Sequence, residues 1–296
     1  MSDSANDDTP SESRHVAYEA CIVSFIDVLG FRDIIDTRPA AEVHNILLRL
    51  ERFTRPESEP PPRSSDEIRL HSRAFAFSVS DAVVRARPYH TQSCDGAFFW
   101  ELYDLLHAQI SLVSSNVLIR GGVTVGNAHV GLRGEGPMFG PAMIRAYDIE
   151  SKESIYPRIV IDSHALEQYR NDPYLRNEDN DVEEDIEAIN SFITSGDDGT
   201  LFLDYIRASR SEYDDYESYF GFLSQHSALI RAGLSQERDL RTRRKYVWLA
   251  RYHDRCVREL IAKAAASGAR GLQNEEGLEI DVQAYLRNIL VSDSEL

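Results

Sequence analysis

The sequence predicts an α+β fold, on three observations. Short apolar runs of strand length alternate with stretches whose apolar residues recur every three or four positions. Along the first half of the chain the two kinds follow the order β-α-β-β-α-β-α-β, with glycine and proline at the junctions. Beyond about residue 165 helical and acidic segments replace the strands. Of 296 residues 42% are hydrophobic, which is enough to build a full core.

Residues 1 to 16 are polar and acidic, and are expected to form a disordered tail. Ala20 to Asp27 reads as a strand, with Cys21 to Ile26 suited to burial and a charge at the end. A helix is expected from Phe31 to Phe53, because Val43, Ile46, Leu47, Leu50 and Phe53 fall on one face. Thr54 to Asp66 (TRPESEPPPRSSD) is a proline-rich loop. Ile68 to Val79 and Ala82 to Ala86 read as a hairpin bent at Ser80-Asp81. A helix follows at Phe98 to Ser115, then a strand at Val117 to Val125 that contains Gly121-Gly122. A glycine-rich connection at 131–136 leads to a helix at Pro141 to Ser151 and a strand at Tyr156 to Asp162.

This is the split order of ferredoxin-like and palm-type βαββαβ sheets, and it defines one unit at residues 17–165. Asn171 to Glu187 is an acidic stretch, read as a solvated loop or exposed helix face. Gly199 to Ile206 reads as a strand, and Arg207 to His226 and Gln236 to Ala266 as helices, the second rich in Arg and Lys. Residues 166–296 are therefore expected to be an acidic linker and helical extension packed on the first unit.

Composition excludes several classes of function. Thirty-two basic residues against 49 acidic ones leave a formal charge of −17, with no basic stripe for nucleic acid. Cys21, Cys94 and Cys256 form no C-x-x-C pair, so neither a disulfide frame nor structural zinc is suggested, and a reduced, cytoplasmic setting is expected. The N-terminus lacks the basic and apolar regions of a signal peptide. No apolar run approaches the roughly 20 residues that cross a bilayer, so no direct membrane contact is expected. There is no G-K-[ST] loop, and His71, His107 and His129 share no metal-ligand spacing. Cys21 is read as a small core residue.

Asp27 and Asp81 carry the chemical signal. In the predicted topology the first strand lies beside the strand after the hairpin bend, so the two carboxylates become neighbours. Two such groups repel unless one takes a proton or a cation joins them. Mg²⁺ or Mn²⁺ is the fitting cation, and two ions about 4 Å apart can clamp the oxygens of phosphoryl transfer. Gly30, after Leu29 and before a helix start, leaves backbone N–H groups for phosphate oxygens.

These residues resemble a known family. Phe25 to Phe31 (FIDVLGF) is similar to the F-x-D-x-x-G-F motif of class III nucleotide cyclases. Ser80-Asp81 stands where they carry Gly-Asp, and Arg120 to Gly126 (RGGVTVG) resembles their R-x-G-x-x-x-G strand. Together with Met138 to Glu150 and Tyr156 to Asp162, these segments look most like the pyrimidine cyclases of bacterial Pycsar anti-phage defence. The resemblance covers about residues 18 to 165. It implies closure of UTP to 3′,5′-cyclic UMP with release of pyrophosphate, as a second messenger read by a separate effector. It implies that Asp27, Asp81 and the Val28 carbonyl bind two divalent ions. The amides of Leu29, Gly30 and Phe31 would hold the β- and γ-phosphates, with Arg120 as a further phosphate contact. It also implies a homodimer with sites at the interface.

The departures from the family pattern narrow the reading. The position of the base-reading lysine of purine cyclases is Phe77 here, and that of its partner aspartate is Pro137. Neither can select adenine, whereas an aromatic wall can stack a smaller base; the structural alternative for Phe77 is a core residue of an alternating strand. Aligned on Gly140, the positions of a conserved helix Asn and Arg are Ile144 and Asp148. Arg145, three residues before Asp148, is the candidate replacement cation, with a surface ion pair to Asp148 as its structural alternative. Tyr147 is expected at an interface or in the core. A cytidylate or purine cyclase and an inactive cyclase-like nucleotide sensor remain the alternatives.

Overall fold

The computed structural model describes residues 16–54, 72–131, 137–236, 239–267, 272–273 and 279–291. The proline-rich loop beyond Thr54, His71, most of the N-terminal tail and most of the 131–136 connection lie outside them. The chain begins with strand β1 (Glu19–Val28), helices α1 (Phe31–Thr37) and α2 (Ala40–Thr54), and the hairpin β2 (Phe75–Val79) and β3 (Ala82–Pro88). Helix α3 (Ala97–Val113), β4 (Ile119–Ala128), α4 (Pro141–Asp148) with a π-helical turn at Ile149–Glu153, and β5 (Ile159–Ile161) complete the predicted pattern. The α+β expectation is met.

The seven-stranded sheet has the order β2-β3-β1-β4-β5-β7-β6. The last two strands, β6 (Ile193–Ser195) and β7 (Leu201–Leu203), come from the segment read as an extension and continue the sheet beyond β5. Helices α5 (Ser163–Asn171), α6 (Val182–Phe192), α7 (Tyr205–Ala208), α8 (Tyr216–Ser235) and α9 (Leu240–Ser267) surround them. A small ribbon, β8 (Leu272–Gln273) and β9 (Glu279–Ile280), precedes α10 (Val282–Asn288).

β1 is central and covered on both faces, which explains its unbroken apolar run. Ile22, Ile26 and Val28 enter the large core with α2 and α3, while Cys21 and Val23 enter a smaller one with Ala142 and Ala146 of α4. Beneath the large core Glu101 is fully buried and accepts hydrogen bonds from Ser24 Oγ (2.7 Å) and from Arg85 and Arg87. Paired guanidinium groups hold its carboxyl down to about 2 against the effect of burial.

Gly121 and Gly122 are packing requirements. A Cβ on Gly121 would lie 2.6 Å from the Phe25 carbonyl oxygen. On Gly122 it would lie 2.6 Å from Ile149 Cβ and 2.8 Å from the Ala146 carbonyl oxygen. Only bare backbone lets α4 and its π-turn settle on β4.

Four expectations are corrected. The helix over Arg207 to His226 is broken, with α7 ending at Ala208, a 3₁₀ turn at Ser209–Glu212 and α8 starting only at Tyr216. The single helix over Phe31 to Phe53 is two helices, because Pro39 forces Arg38 into extended backbone (φ −111°, ψ 149°). The strand over Gly199 to Ile206 is only Leu201–Leu203, with Ile206 already in α7. The acidic 171–187 stretch is not merely solvated. Asp172 and Asp181 cap helical turns, and the buried Asp185 accepts from the Asn177 N–H (2.8 Å) and the Asn180 amide (2.7 Å). Among the described residues no helix is long and apolar enough to cross a membrane.

Candidate active site

Period-two alternation puts Asp27 on the face of β1 that carries Cys21, Val23 and Phe25, the face covered further along by α4. In the ladders Asp27 stands opposite Ala82 of β3 and Arg120 of β4. The Val28 N–H donates to the Asp81 carbonyl oxygen (3.3 Å), so the hairpin turn is tied to the end of β1. Ser80 holds a left-handed conformation (φ 56°), the geometry a two-residue turn demands and glycine adopts most freely. The structure thus brings Asp27 and Asp81 together.

A third carboxylate joins them. Glu150, in the π-turn, is buried on the same side, and Arg120 is divided between it and Asp27. Arg120 Nε and Nη2 donate to Asp27 Oδ2 at 3.3 and 3.2 Å, and Nη2 lies 2.6 Å from Glu150 Oε1. That last contact is close but poorly aligned, and Glu150 Oε1 is left without a hydrogen bond. Burial first, then the charges of Asp81 and Glu150, raise Asp27 to about 6, while Arg120 opposes the shift. Burial likewise raises Glu150, with Arg120 opposing and Asp81 adding to it. The site therefore holds more negative charge than its own cations offset.

The next loop supplies donors. Gly30 is left-handed (φ 75°) and Phe31 opens α1. The Leu29 N–H is already taken by the Leu118 carbonyl oxygen (2.8 Å), which narrows the expected amide set to Gly30 and Phe31. Beside this loop lies a cleft of about 620 Å³ whose lining includes Leu29, Gly30, Asp33, Asp239, Lys245 and Tyr246. Its far wall is α9. Lys245 is half-buried there, and burial first, then Arg120, lower its ammonium, with Asp27 among the groups that pull it back up. The helical extension thus delivers a cation to the acidic end of β1.

The remaining candidates fall as follows. Phe77 is 55% exposed on β2, on the sheet face shared by Phe25 and Asp27, so it is not core. Arg145 donates to Asp162 (Nε–Oδ2 2.9 Å, Nη2–Oδ1 3.2 Å) and to Glu153, while Asp148 pairs with Lys152 instead. Asp162 also accepts from Thr124 Oγ1 (2.8 Å), four residues and so about 13 Å along β4 from Arg120. Within one chain Arg145 does not join the acidic pair. Tyr147 is half-exposed and meets Phe25 edge to face (5.4 Å).

Glu150 and Lys245 were missed by the sequence reading. Glu150 ends a recognised segment, but its placement depends on a π-turn that no periodicity announces. Lys245 lies in an Arg- and Lys-rich helix far from every motif.

The donor set suits a hard divalent ion. Among the described residues no group of three or more His, Cys, Asp or Glu forms a ready cage. Mg²⁺ characteristically needs none, since it is held by one or two carboxylates and completes its shell with water and substrate phosphate. The Glu150 oxygen, paired with Arg120 but without an aligned hydrogen bond, and the raised Asp27 carboxyl fit that arrangement.

No protein-family model matches the chain, and no curated protein matches it. Among solved structures, the catalytic core of a rhodopsin-guanylyl cyclase with converted specificity, in complex with ATPαS, is 15% identical at a TM-score of 0.37 and covers 51% of this chain and 82% of its own. The monomeric guanylyl cyclase domain of the RhoGC fusion protein from the aquatic fungus Blastocladiella emersonii is 14% identical at a TM-score of 0.36, covering 64% and 96%. A double mutant of that domain is 13% identical at 0.35, covering 63% and 95%. Likeness of this size carries no inference about chemistry, which rests on the site itself.

Proposed function

We propose that the chain is a divalent-metal-dependent nucleotide cyclase that converts UTP to 3′,5′-cyclic UMP and pyrophosphate, generating a second messenger in anti-phage defence. The observation that carries the metal-dependent cyclase reading is the β1–β3 register, which sets Asp27 beside Asp81 in a site with surplus negative charge, while the choice of UTP and the defence role follow the resemblance of residues 18 to 165. In the reaction the substrate 3′-hydroxyl loses its proton to solvent as its oxygen bonds to the α-phosphorus, the bond from that phosphorus to the bridging oxygen breaks, and pyrophosphate leaves.

Two Mn²⁺ or Mg²⁺ ions would be held by Asp27, Asp81 and the Val28 carbonyl, and when bound they would neutralise charge on the reacting oxygens. The chain's own groups do the rest. Arg120 fixes the Asp27 carboxylate between β1 and β4. Gly30 and Phe31 amides and the Lys245 ammonium bind the β- and γ-phosphates. Phe77, standing free on the open face, stacks the pyrimidine. A second copy would bring its Arg145 and the exposed Ile144 and Tyr147 of α4 towards the same face, making the active form a homodimer.

One observation favours a second reading. Arg145 is saturated by Asp162 and Glu153, and no Asn stands at position 144, as in a cyclase-like nucleotide sensor without turnover. The discriminating experiment is incubation with UTP and Mn²⁺ followed by product identification by mass. Cyclic UMP from the wild type and none from Asp27→Asn supports the cyclase. Saturable UTP binding without product supports the sensor.

A further inference from the structure

Helix α9 carries a second basic face. Arg244, Trp248, Arg251 and Arg255 are spaced four, three and four residues apart, so they share a stripe about a quarter-turn from Lys245. This stripe, with Arg243 and Tyr156, lines a separate cleft of about 390 Å³ beside the β6–β7 turn. Its one acidic lining residue is the exposed Asp197.

Four arginines lining one cleft in a chain of charge −17 are more than composition predicts, and of these Arg243 donates to the Leu234 carbonyl oxygen. Neighbouring arginines have carboxylate partners: Arg258 pairs with Asp254, Arg207 with Glu259 and Arg158 with Asp198. Among the described residues Arg244 and Arg251 have none, and Arg255 Nε is buried without a hydrogen bond. Like charges left facing one cavity, one with a buried unsatisfied donor, are stabilised by an anion.

The cleft also has a flat aromatic wall. Tyr156 stacks on Trp248 (5.0 Å, 7°) and Trp248 on Tyr252 (5.6 Å, 25°), with the buried Arg158 guanidinium 5.3 Å from both the Tyr156 and Trp248 rings. Arginine forks match phosphate oxygens, and a rigid aromatic ladder matches a planar base. Its volume lies within the usual range of small-molecule sites. We propose that this cleft is a nucleotide-binding site separate from the Asp27–Asp81 site, with Arg244, Arg251 and Arg255 on the phosphate and the Tyr156–Trp248 wall against the base. The assignment does not depend on the reaction proposed above.

The chain has two tryptophans, so Trp100→Phe leaves Trp248 as the sole reporter in the full-length protein. This variant is titrated in EDTA with UMP, AMP, uridine and tripolyphosphate, and the titration is repeated with Asp27→Asn and with Arg244→Gln/Arg251→Gln added. The expected result is saturable nucleotide binding with a Kd below about 1 mM, unaffected by Asp27→Asn and weakened at least about tenfold by the arginine pair. Both arginines are exposed, so the melting temperature of that variant stays with its parent. Three outcomes would overturn the assignment: no saturable nucleotide response, a response that the arginine substitutions leave unchanged, or tripolyphosphate binding as tightly as nucleotide.

Discussion

Arg120 stands directly opposite Asp27 across the β1–β4 ladder, and its guanidinium is divided between Asp27 and Glu150. One cation therefore serves two carboxylates while Asp81 adds a third negative group nearby. The imbalance shows in Asp27, whose carboxyl is raised to about 6 by burial first and then by the charges of Asp81 and Glu150, with Arg120 opposing. The divalent ions proposed above would relieve this imbalance.

The first consequence is a pH-dependent stability. A carboxyl raised in the fold binds its proton more tightly there than in the unfolded chain. Its stabilising contribution is complete below about 3.8 and is lost as pH rises through about 6. Asp27→Asn removes that loss, so at pH 8 it is expected to melt roughly 2–5 °C above wild type, with the gap closing towards pH 4. Thermal melts across this range check it. A variant less stable at pH 8 would mean that the Arg120 pairing outweighs burial.

Lys245 is expected to act on substrate. Losing one charge-assisted contact to phosphate predicts a fall of about 10- to 100-fold in kcat/KM for Lys245→Met, chiefly through KM. Lys245→Arg should retain part of the activity. Because the ammonium is half-buried and shifted down by burial, Lys245→Met should not lower the melting temperature. Unchanged kinetics would remove α9 from the site.

Gly122 links packing to the site. In Gly122→Ala the new Cβ meets Ile149, the residue before Glu150, at a separation no packed pair tolerates. The expected cost is about 1–3 kcal/mol of stability, with activity falling further than stability alone explains, because the π-turn is lifted from β4. Chemical denaturation and turnover on the same preparation separate the two effects.

The sheet and the acidic pair were legible because local signals announced them. The apolar run of β1 reports burial on both faces, Ser80-Asp81 marks the hairpin turn, and Gly121-Gly122 marks close backbone approach. The α1–α2 break was also written in the sequence, at Pro39, but the apolar face of the second helix was extended across it. Strand β7 lies within the strand expected at Gly199 to Ile206, whereas β6 carries too few residues for a period to emerge. Glu150, Lys245 and the Arg145–Asp162 pairing arise from tertiary contacts between distant segments, which spacing does not encode.

The most direct test of the proposed chemistry offers the protein an equimolar mixture of UTP, CTP, ATP and GTP with Mn²⁺ and resolves the products by mass. The expected result is 3′,5′-cyclic UMP as the dominant cyclic product, with pyrophosphate in equal amount, and neither product from Asp81→Asn. Cyclic AMP or cyclic GMP in excess would contradict the role given to Phe77, and no cyclic nucleotide at any protein concentration would contradict the cyclase itself.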